Sequence, residues 1–343
     1  MLNSGFTYRE IVDPAGAGLP LVAYYAARHP HSSAETWRAR AEAGEILLGG
    51  RPAAPGETLR AGDALQWRRP PWEEPDVPRD WSVAYEDGDL LAVDKPSGLP
   101  CVPGGGFLEN TLMHLVQAAR PDSVPVPAHR LGRGTSGLVL FSKTPRARRA
   151  LAALFRDATA RGSGAVEKRY VARTGPRPGA KPGDRFEIET PVGLVPHGTL
   201  GSVWAASPSG KPARSVCTVR EAGPRAVLWD VELVTGRPHQ IRIHLASIGS
   251  PLSGDPLYLP GGMPRQDALP GGCGYFLRAV KLAFPHPATG ERTEIAVSPF
   301  RCLRCGSCCR VQSAKPAQCR GFPHSWRNPD STVVCPALAL CTV

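Results

Sequence analysis

The sequence predicts an α+β protein built on a mixed, largely antiparallel β-sheet. Short β-rich runs such as GLVLFSK, SVCTVRE and AVLWDVELV outnumber the helical segments between residues 82 and 300, as is typical of that class. The sequence contains neither a GxGxxG fingerprint after a strand nor a P-loop, so it indicates no dinucleotide or nucleoside triphosphate site. Composition divides the chain into a small α/β unit (1–70), a linker rich in proline and charge (71–81), the main domain (82–300) and a cysteine-rich tail (301–343).

The small unit is predicted to contain two helices followed by a β-hairpin. The helices lie in LVAYYAARHP and SSAETWRARAEAG, where Ser32 or Ser33 can cap the second helix and Gly44 can end it. The strands lie in ILLGG and TLRAGDALQW. This order resembles the S4-like RNA-binding module, and the resemblance implies RNA contacts from Arg38 and Arg40. A structural cap on the main domain is the alternative interpretation.

The charge of the chain indicates a polyanionic partner. Lys and Arg number 41 against 30 Asp and Glu, which gives a formal charge of +11 and a pI near 9.4. Nucleic acid is the usual partner of such a protein, with a solubilising surface charge as the alternative. Because no stretch approaches the ~20 apolar residues of a membrane span and the N-terminus has no apolar run, we expect no membrane partner and a cytoplasmic protein.

Three polar, cationic elements of the main domain suit contact with nucleic acid. The loop HRLGRGTSG (129–137) combines glycines, which let the backbone approach a ligand, with Arg130 and Arg133, which can bind phosphate or stack on bases. In TGRPHQIRIH, His239 and Arg242 are three residues apart and can share one helix face. EKRYVAR places Tyr170 between basic residues, a pattern typical of base stacking beside phosphate contacts.

Six ordered motifs resemble the RluA-type pseudouridine synthase family: YEDGDLLAVDKPSGLP, HRLGRGTSGLVLFSKT, EKRYVA, GKPARSVCTV, TGRPHQIRIHLASIGSPLSGDPLY and LAFPHPATGE. They cover roughly residues 82–300, in the order that the family shows. The resemblance implies isomerisation of uridine to pseudouridine in ribosomal or transfer RNA, without a cofactor for that reaction. The target nucleotide must first leave the helical stack. We expect the protein to act as a monomer.

The resemblance also implies roles for individual residues. Arg130 matches an arginine that wedges into the RNA, Tyr170 a tyrosine that stacks on the flipped base, and Arg242 an arginine that pairs with the catalytic aspartate. Leu245 would lie in the apolar wall, and the turn with Lys95 would shape the sheet. The further RNA-binding candidates are His129, Arg133, Thr135, Ser136, Arg237, His239 and Gln240.

Gly132 departs from the family pattern, because it occupies the position of the catalytic aspartate in HRLD. Three interpretations compete: an active enzyme in which another carboxylate or a water substitutes, an RNA-binding protein without catalysis, and a modified chemistry. The carboxylates considered as substitutes are Asp87, Asp89, Asp94 and Asp255. Without an aspartate at 132, Arg242 would be a costly unpaired charge, so we expect a different carboxylate, an anion or solvent beside it.

The tail concentrates seven of the ten cysteines. Closely spaced thiolates suit tetrahedral zinc or an iron–sulfur cluster. The alternatives are reduced, unligated cysteines and an enzyme whose chemistry depends on the tail's metal. The predicted ligands are Cys302, Cys305, Cys308, Cys309 and Cys319.

Chelation tests the metal prediction. Because a tail of about 40 residues cannot bury a core of its own, a metal would be needed to order it. We expect a strong chelator to release metal, measured by elemental analysis, while circular dichroism shows the main domain still folded. Global unfolding on chelation would contradict this prediction.

Overall fold

The computed structural model describes residues 1–161, 164–269 and 271–300, with the backbone alone at 160 and 161. The five predicted cysteine ligands therefore lie outside the described residues. Among the described residues, no group of three or more His, Cys, Asp or Glu side chains could hold a metal ion. No helix in these ranges has both the length and the apolar character that a membrane span requires.

The N-terminal unit packs two helices on a four-stranded antiparallel sheet with the order β1-β4-β2-β3. Ser33 caps α2 by accepting a hydrogen bond from the Thr36 amide at 3.2 Å, and Gly44 follows with φ of +73°, as predicted. The sequence did not predict strand β1. Four of its six residues are exposed, so the strand has no clear apolar face. The elements are β1 (Phe6–Ile11), a 3₁₀ turn (Pro14–Gly16), α1 (Leu21–Arg28), α2 (Ala34–Glu42), β2 (Ile46–Leu48), β3 (Arg51–Pro52) and β4 (Ala64–Arg69).

The segment predicted as a linker is anchored by a buried carboxylate. The side chain of Glu74 accepts hydrogen bonds from Asn3 Nδ2 at 2.7 Å and from the amides of Glu109 and Asn110 at 3.0 and 2.8 Å. The Trp72 indole donates to the Gly106 carbonyl at 2.8 Å. These bonds hold the predicted linker against the main domain.

The main domain is built on a ten-stranded sheet whose path is β10-β13-β14-β9-β15-β8-β6-β5, with β7 beside β8 and β16 beside β15. Every pair is antiparallel except β8 with β15. A separate hairpin, β11–β12, packs near α5. The strands are β5 (Ser82–Glu86), β6 (Leu90–Lys95), β7 (Val126–Pro127), β8 (Ser136–Ser142), β9 (Glu167–Thr174), β10 (Arg185–Ile188), β11 (Val192–His197), β12 (Gly201–Ala206), β13 (Ser215–Ala222), β14 (Val227–Leu233), β15 (Leu277–Pro285) and β16 (Arg292–Ala296).

Helices cover both faces of this sheet, and strands β6 and β8 are buried along almost their whole length. Alternate residues of a strand point to opposite faces. Leu91 and Val93 of β6 accordingly join the core beneath α3 (Leu112–Ala119) and α5 (Gln240–Ser247), whereas Leu90 and Ala92 join the core beneath α4 (Pro145–Arg161). The candidate site lies on the first face, where α5 and the loop 129–137 meet.

An ion pair bridges the centre of the sheet. Arg278 of β15 donates two hydrogen bonds to the Asp94 carboxylate of β6, at 2.9 and 2.7 Å. Arg278 is 2% exposed, and its Nε also donates to the Ser298 carbonyl at 2.8 Å. The pair spans β8, which lies between β6 and β15.

Removing one partner of this pair would leave a buried charge. We expect Arg278→Ala to lower the free energy of unfolding by about 3–5 kcal/mol, measured by urea denaturation. Arg185→Ala is the matched control, because Arg185 is an exposed strand residue paired with Glu187, and exposed pairs contribute about 0–1 kcal/mol. Equal losses in the two variants would contradict a structural role for the buried pair.

Candidate active site

A buried lysine joins the two loops that form one wall of the site. The Lys95 ammonium is 0% exposed and donates to the carbonyls of Pro96, Leu99 and Arg133 at 2.9, 2.7 and 3.2 Å. Two further bonds connect the same loops: Ser97 Oγ donates to the Gly134 carbonyl at 2.7 Å, and the Gly98 amide donates to the Arg133 carbonyl at 2.8 Å. The loop 129–137 is therefore fixed from below by the DKPSG turn.

Gly132 lies at the open surface of this loop, in a turn closed by the Thr135 amide on its carbonyl at 3.0 Å. Its φ lies outside the left-handed region, and a Cβ there would meet Tyr275 Oη at 3.5 Å and Thr135 Oγ1 at 3.6 Å, which are ordinary contact distances. These two hydroxyls are 3.4 Å apart. Position 132 therefore has room for a side chain, and two hydroxyl groups face it.

Arg242 has the carboxylate that we expected it to need. Its Nε and Nη2 each donate to a different carboxylate oxygen of Asp255 at 2.7 Å, and Arg242 is 3% exposed. The guanidinium also lies 4.9 Å from the ring centroid of Tyr258 and 4.5 Å from that of Tyr275. Burial would lower the pKa of Arg242, but Asp255 raises it, so the guanidinium keeps its charge.

The four aspartates considered as substitutes for the missing carboxylate are all engaged. Asp255 accepts from Arg242 through both carboxylate oxygens, and its Oδ1 also accepts from the amides of Leu257 and Tyr258, at 2.9 and 3.2 Å. The other partners are Arg278 for Asp94, Tyr85 and His286 for Asp87, and Thr144 and Arg146 for Asp89. Of the four aspartates, only Asp255 pairs with Arg242, and the other three are held by partners elsewhere.

Tyr170 lies in the same apolar cluster as Leu131, Leu245 and Tyr275. Strand β9 places it opposite Ala279 of β15, and it is 8% exposed. Burial raises the pKa of its hydroxyl, and the nearby Cys101 thiol adds to this. The phenol therefore remains protonated at neutral pH, so it can stack on a base, donate a hydrogen bond and enter a proton transfer in its protonated form.

His239 begins α5 in the left-handed conformation, with φ of +55°. Its Nδ1 lies 2.7 Å from Tyr258 Oη, and that hydroxyl donates to the Trp204 carbonyl at 2.7 Å. Because the single hydroxyl proton is used on Trp204, His239 must donate from Nδ1, which leaves Nε2 as an acceptor. Burial lowers the pKa of His239 to about 4, and the charges of Arg242 and Arg130 contribute, so the ring is neutral.

The remaining predicted RNA contacts differ in their placement. Arg130 is exposed, and its charge acts on both His239 and Cys101, which places it beside the site. Arg133 lies over the Phe107 ring at 5.5 Å, and Arg237 Nε donates to the Pro212 carbonyl at 3.0 Å. Thr135 is buried and Ser136 half-buried at the start of β8. In the N-terminal unit, Arg38 is exposed and Arg40 lies 4.4 Å from the ring centroids of both Trp37 and Trp67.

Two predicted RNA-binding side chains are occupied by structural contacts. The Gln240 amide is 2% exposed and uses all its hydrogen-bonding capacity on Thr235 Oγ1, the Arg237 amide, the Arg214 carbonyl and Ser215 Oγ. The His129 ring stacks on Phe155 at 5.0 Å and accepts from the Leu140 amide at 3.2 Å. Burial lowers the pKa of His129 to about 3. Both residues therefore position backbone rather than RNA.

Tyr275 and Tyr258 belong to the site but were not predicted from sequence. Tyr275 connects position 132 to Arg242, since its hydroxyl faces Gly132 while its ring lies under the guanidinium. It follows a glycine-rich stretch that carries no periodic signal. Tyr258 ends the motif SGDPLY, whose aspartate alone had been considered.

Comparison with known proteins identifies the class. The pattern of the family described as RNA pseudouridylate synthase matches residues 89–247. An uncharacterised RNA pseudouridine synthase of Synechocystis sp. is 41% identical over 274 residues, covering 79% of this chain and 91% of the relative. The protein named RNA pseudouridine synthase 5 of Arabidopsis thaliana is 36% identical over 348 residues, covering 87% of this chain and 94% of the relative.

A third relative narrows the class further. It is named ribosomal large subunit pseudouridine synthase D, from Vibrio parahaemolyticus, and is 32% identical over 235 residues, covering 65% of this chain and 68% of the relative. The chain belongs to the RNA pseudouridine synthases, in the RluA-type family. It is therefore an isomerase-class protein whose substrate is RNA, as the motifs predicted.

Substitution of two glycines in the loop 129–137 tests whether position 132 is open. We expect Gly132→Asp to change the free energy of unfolding by less than about 1 kcal/mol, because its Cβ meets only ordinary contacts and position 132 is exposed. Gly137→Ala is the control: its Cβ would lie 2.0 Å from the Ala279 carbonyl oxygen at a φ of +105°, and we expect a loss of more than about 2 kcal/mol. Urea denaturation measures both, and an equal loss would contradict an open position 132.

Proposed function

We propose that this protein isomerises specific uridines of ribosomal or transfer RNA to pseudouridine with Gly132 in place. In the net reaction the bond from ribose C1′ to uracil N1 breaks and a bond from C1′ to C5 forms. The C5 proton is released and N1 takes up a proton, so atoms balance without an oxidant or cofactor. The name of the Vibrio relative supports a ribosomal substrate, and the net charge of +11 supports an RNA partner generally.

The observation that carries this proposal is that the side chains around position 132 form a complete pocket. Tyr170 provides an aromatic face for the base, Arg242 holds its charge against Asp255, and Tyr275 lies between Arg242 and the loop. Only the carboxylate itself is missing from this arrangement. Glycine at position 132 therefore leaves the buried Arg242–Asp255 pair and the aromatic groups of the pocket in place.

We further propose that a water molecule takes the place of the carboxylate. The four candidate aspartates are held by other partners, whereas the Thr135 and Tyr275 hydroxyls face the space beside Gly132. Two hydroxyls can orient a water between them and a bound ribose. The neutral His239 ring, with Nε2 as an acceptor, supplies a further polar group, and its partner Tyr258 contacts Arg242.

An RNA-binding protein without catalysis is the second candidate, and Gly132 is the observation that favours it.

We propose that the enzyme is a monomer that works in the cytoplasm and needs no cofactor for isomerisation. Metal in the cysteine tail would then serve a separate purpose.

Tritium release from RNA labelled at uridine C5 distinguishes the two candidates. We expect release that depends on the purified protein, with RNA from a strain lacking the gene as substrate. If the natural protein is inactive and Gly132→Asp restores release, the RNA-binding candidate replaces the enzyme. Absence of release from both proteins, on ribosomal and on transfer RNA, would overturn the proposed function.

Replacement of Tyr170 tests its part in the chemistry. Tyr170→Phe keeps the aromatic face and removes the hydroxyl, so RNA affinity should change little. Turnover should fall about 100-fold or more, the usual effect of losing a positioned proton-transfer group. Tyr85→Phe is the matched control, because the Tyr85 hydroxyl bonds to Asp87 outside the site. Equal losses of binding and turnover in Tyr170→Phe would remove its hydroxyl from the reaction.

A further inference from the structure

The N-terminal unit contains a cavity of about 590 Å³ that is lined only by residues between Phe6 and Arg69. Its volume is typical of ligand sites, which occupy roughly 300–1,000 Å³. The cavity lies between the sheet strands β1 and β4 and the chain that follows α1. The side chains that matter most are those of Phe6, Tyr8, His29, His31, Trp67 and Arg69.

The sheet side of the cavity is an aromatic platform. Tyr8 stacks on Trp67 with ring centroids 5.1 Å apart and an interplanar angle of 19°, and Phe6 meets Tyr8 edge-on at 4.9 Å. Trp67 is 7% exposed, but Tyr8 and Phe6 are 43% and 46% exposed. The outer rings therefore remain accessible, and accessible rings beside positive charge are the usual platform for unpaired bases.

The charge around the platform suits phosphate. The Arg69 guanidinium lies 3.5 Å from the Trp72 ring centroid and 5.8 Å from that of Trp67, so it is held at the cavity by stacking. Burial lowers the pKa of His31, and the charges of His29, Arg40 and Arg69 add to this effect. His31 is thus a neutral ring in a positive field.

The one acidic side chain of the cavity, Glu10, already has partners. Its carboxylate accepts hydrogen bonds from Tyr24, Arg28 and His29 at 3.2, 3.1 and 3.2 Å. Glu10 therefore does not offset the arginines at the cavity mouth.

Strand β1 is also an edge strand with exposed apolar residues such as Ile11. An exposed edge of this kind can pair with a strand of another polypeptide.

We propose that this cavity binds an unpaired nucleobase of the RNA, stacked on Tyr8, with the adjoining phosphate on Arg69. This proposal rests on the proposed function only in that it takes RNA as the partner. The bound nucleotide is not the one that reacts, because the cavity lies in the N-terminal unit and the reacting pocket in the main domain. The cavity would thus select RNA with a single-stranded segment outside the target uridine.

Binding of a labelled oligoadenylate to the full-length protein tests this site. Oligoadenylate contains no uridine, so it cannot be turned over. We expect Tyr8→Ala to weaken binding by about 5- to 150-fold, the effect of losing one base–aromatic stack, measured by fluorescence anisotropy. Ile11→Ala is the matched control, since Ile11 is an exposed apolar residue of the same strand that does not line the cavity, and it should bind as the natural protein does.

The salt dependence of binding tests the phosphate contact separately. We expect Arg69→Gln to reduce the slope of log K against log salt by about 0.7, as for one lost phosphate contact on a single strand. Arg68→Gln is the control, because Arg68 is exposed on the same strand but does not line the cavity. Tyr8→Ala should leave the slope unchanged, and circular dichroism checks that all four variants fold.

Three results would overturn the proposal: equal affinities in all proteins, equal losses in variants and controls, or unchanged RNA affinity together with a concentration-dependent dimer that Tyr8→Ala dissolves. The last would assign the surface to a second copy of the chain. Failure of the proposed function is distinguishable, because that test measures tritium release from uridine. Oligoadenylate binding at Tyr8 without release would uphold the cavity and overturn the enzyme.

Discussion

The buried ammonium group of Lys95 is the constraint on which the site depends. A lysine charge removed from water is stable only when its hydrogen bonds are satisfied, and here backbone carbonyls of both loops satisfy them. The carbonyl dipoles can converge on one point only if the DKPSG turn and the loop 129–137 hold a single geometry. These hydrogen bonds fix the backbone of the loop at residues 132–134, and so they set the position of Gly132.

Arg242 is held by side chains rather than by backbone carbonyls. Its partner Asp255 comes from a neighbouring loop, and two tyrosine rings enclose the guanidinium. The pair is therefore complete without any carboxylate at position 132. This explains how the fold tolerates glycine at position 132. No buried charge is left without a partner, and the side chains that support the pocket keep their contacts.

The fold class and the family could be predicted from the chain because they depend on local patterns, namely short alternating runs and ordered motifs. Features created by distant contacts could not. Strand β15 carries Arg278 and Lys281 in an otherwise apolar run, and the sequence does not show that Arg278 is buried, because its partner Asp94 lies 184 residues earlier. Gln240 and His129 have the residue types of RNA contacts, yet spatial neighbours use every hydrogen-bonding group of Gln240, and Phe155 and the Leu140 amide hold the His129 ring. Tyr275 stands in no motif, and only the folded chain brings it between Gly132 and Arg242.

Strand β15 also has a consequence for the order in which the protein is made. In the described part of the sheet it lies between β8 and β9, so it joins the half formed by β5, β6 and β8 to the half formed by β9, β14, β13 and β10. Gly137 allows this junction, because any Cβ there would collide with β15. On the ribosome the two halves emerge first, each with an unpaired edge that invites wrong pairing. The loop with Gly132 is therefore attached to Tyr170 and Arg242 only after residues 277–285 have left the exit tunnel, and the pocket is completed near the end of synthesis.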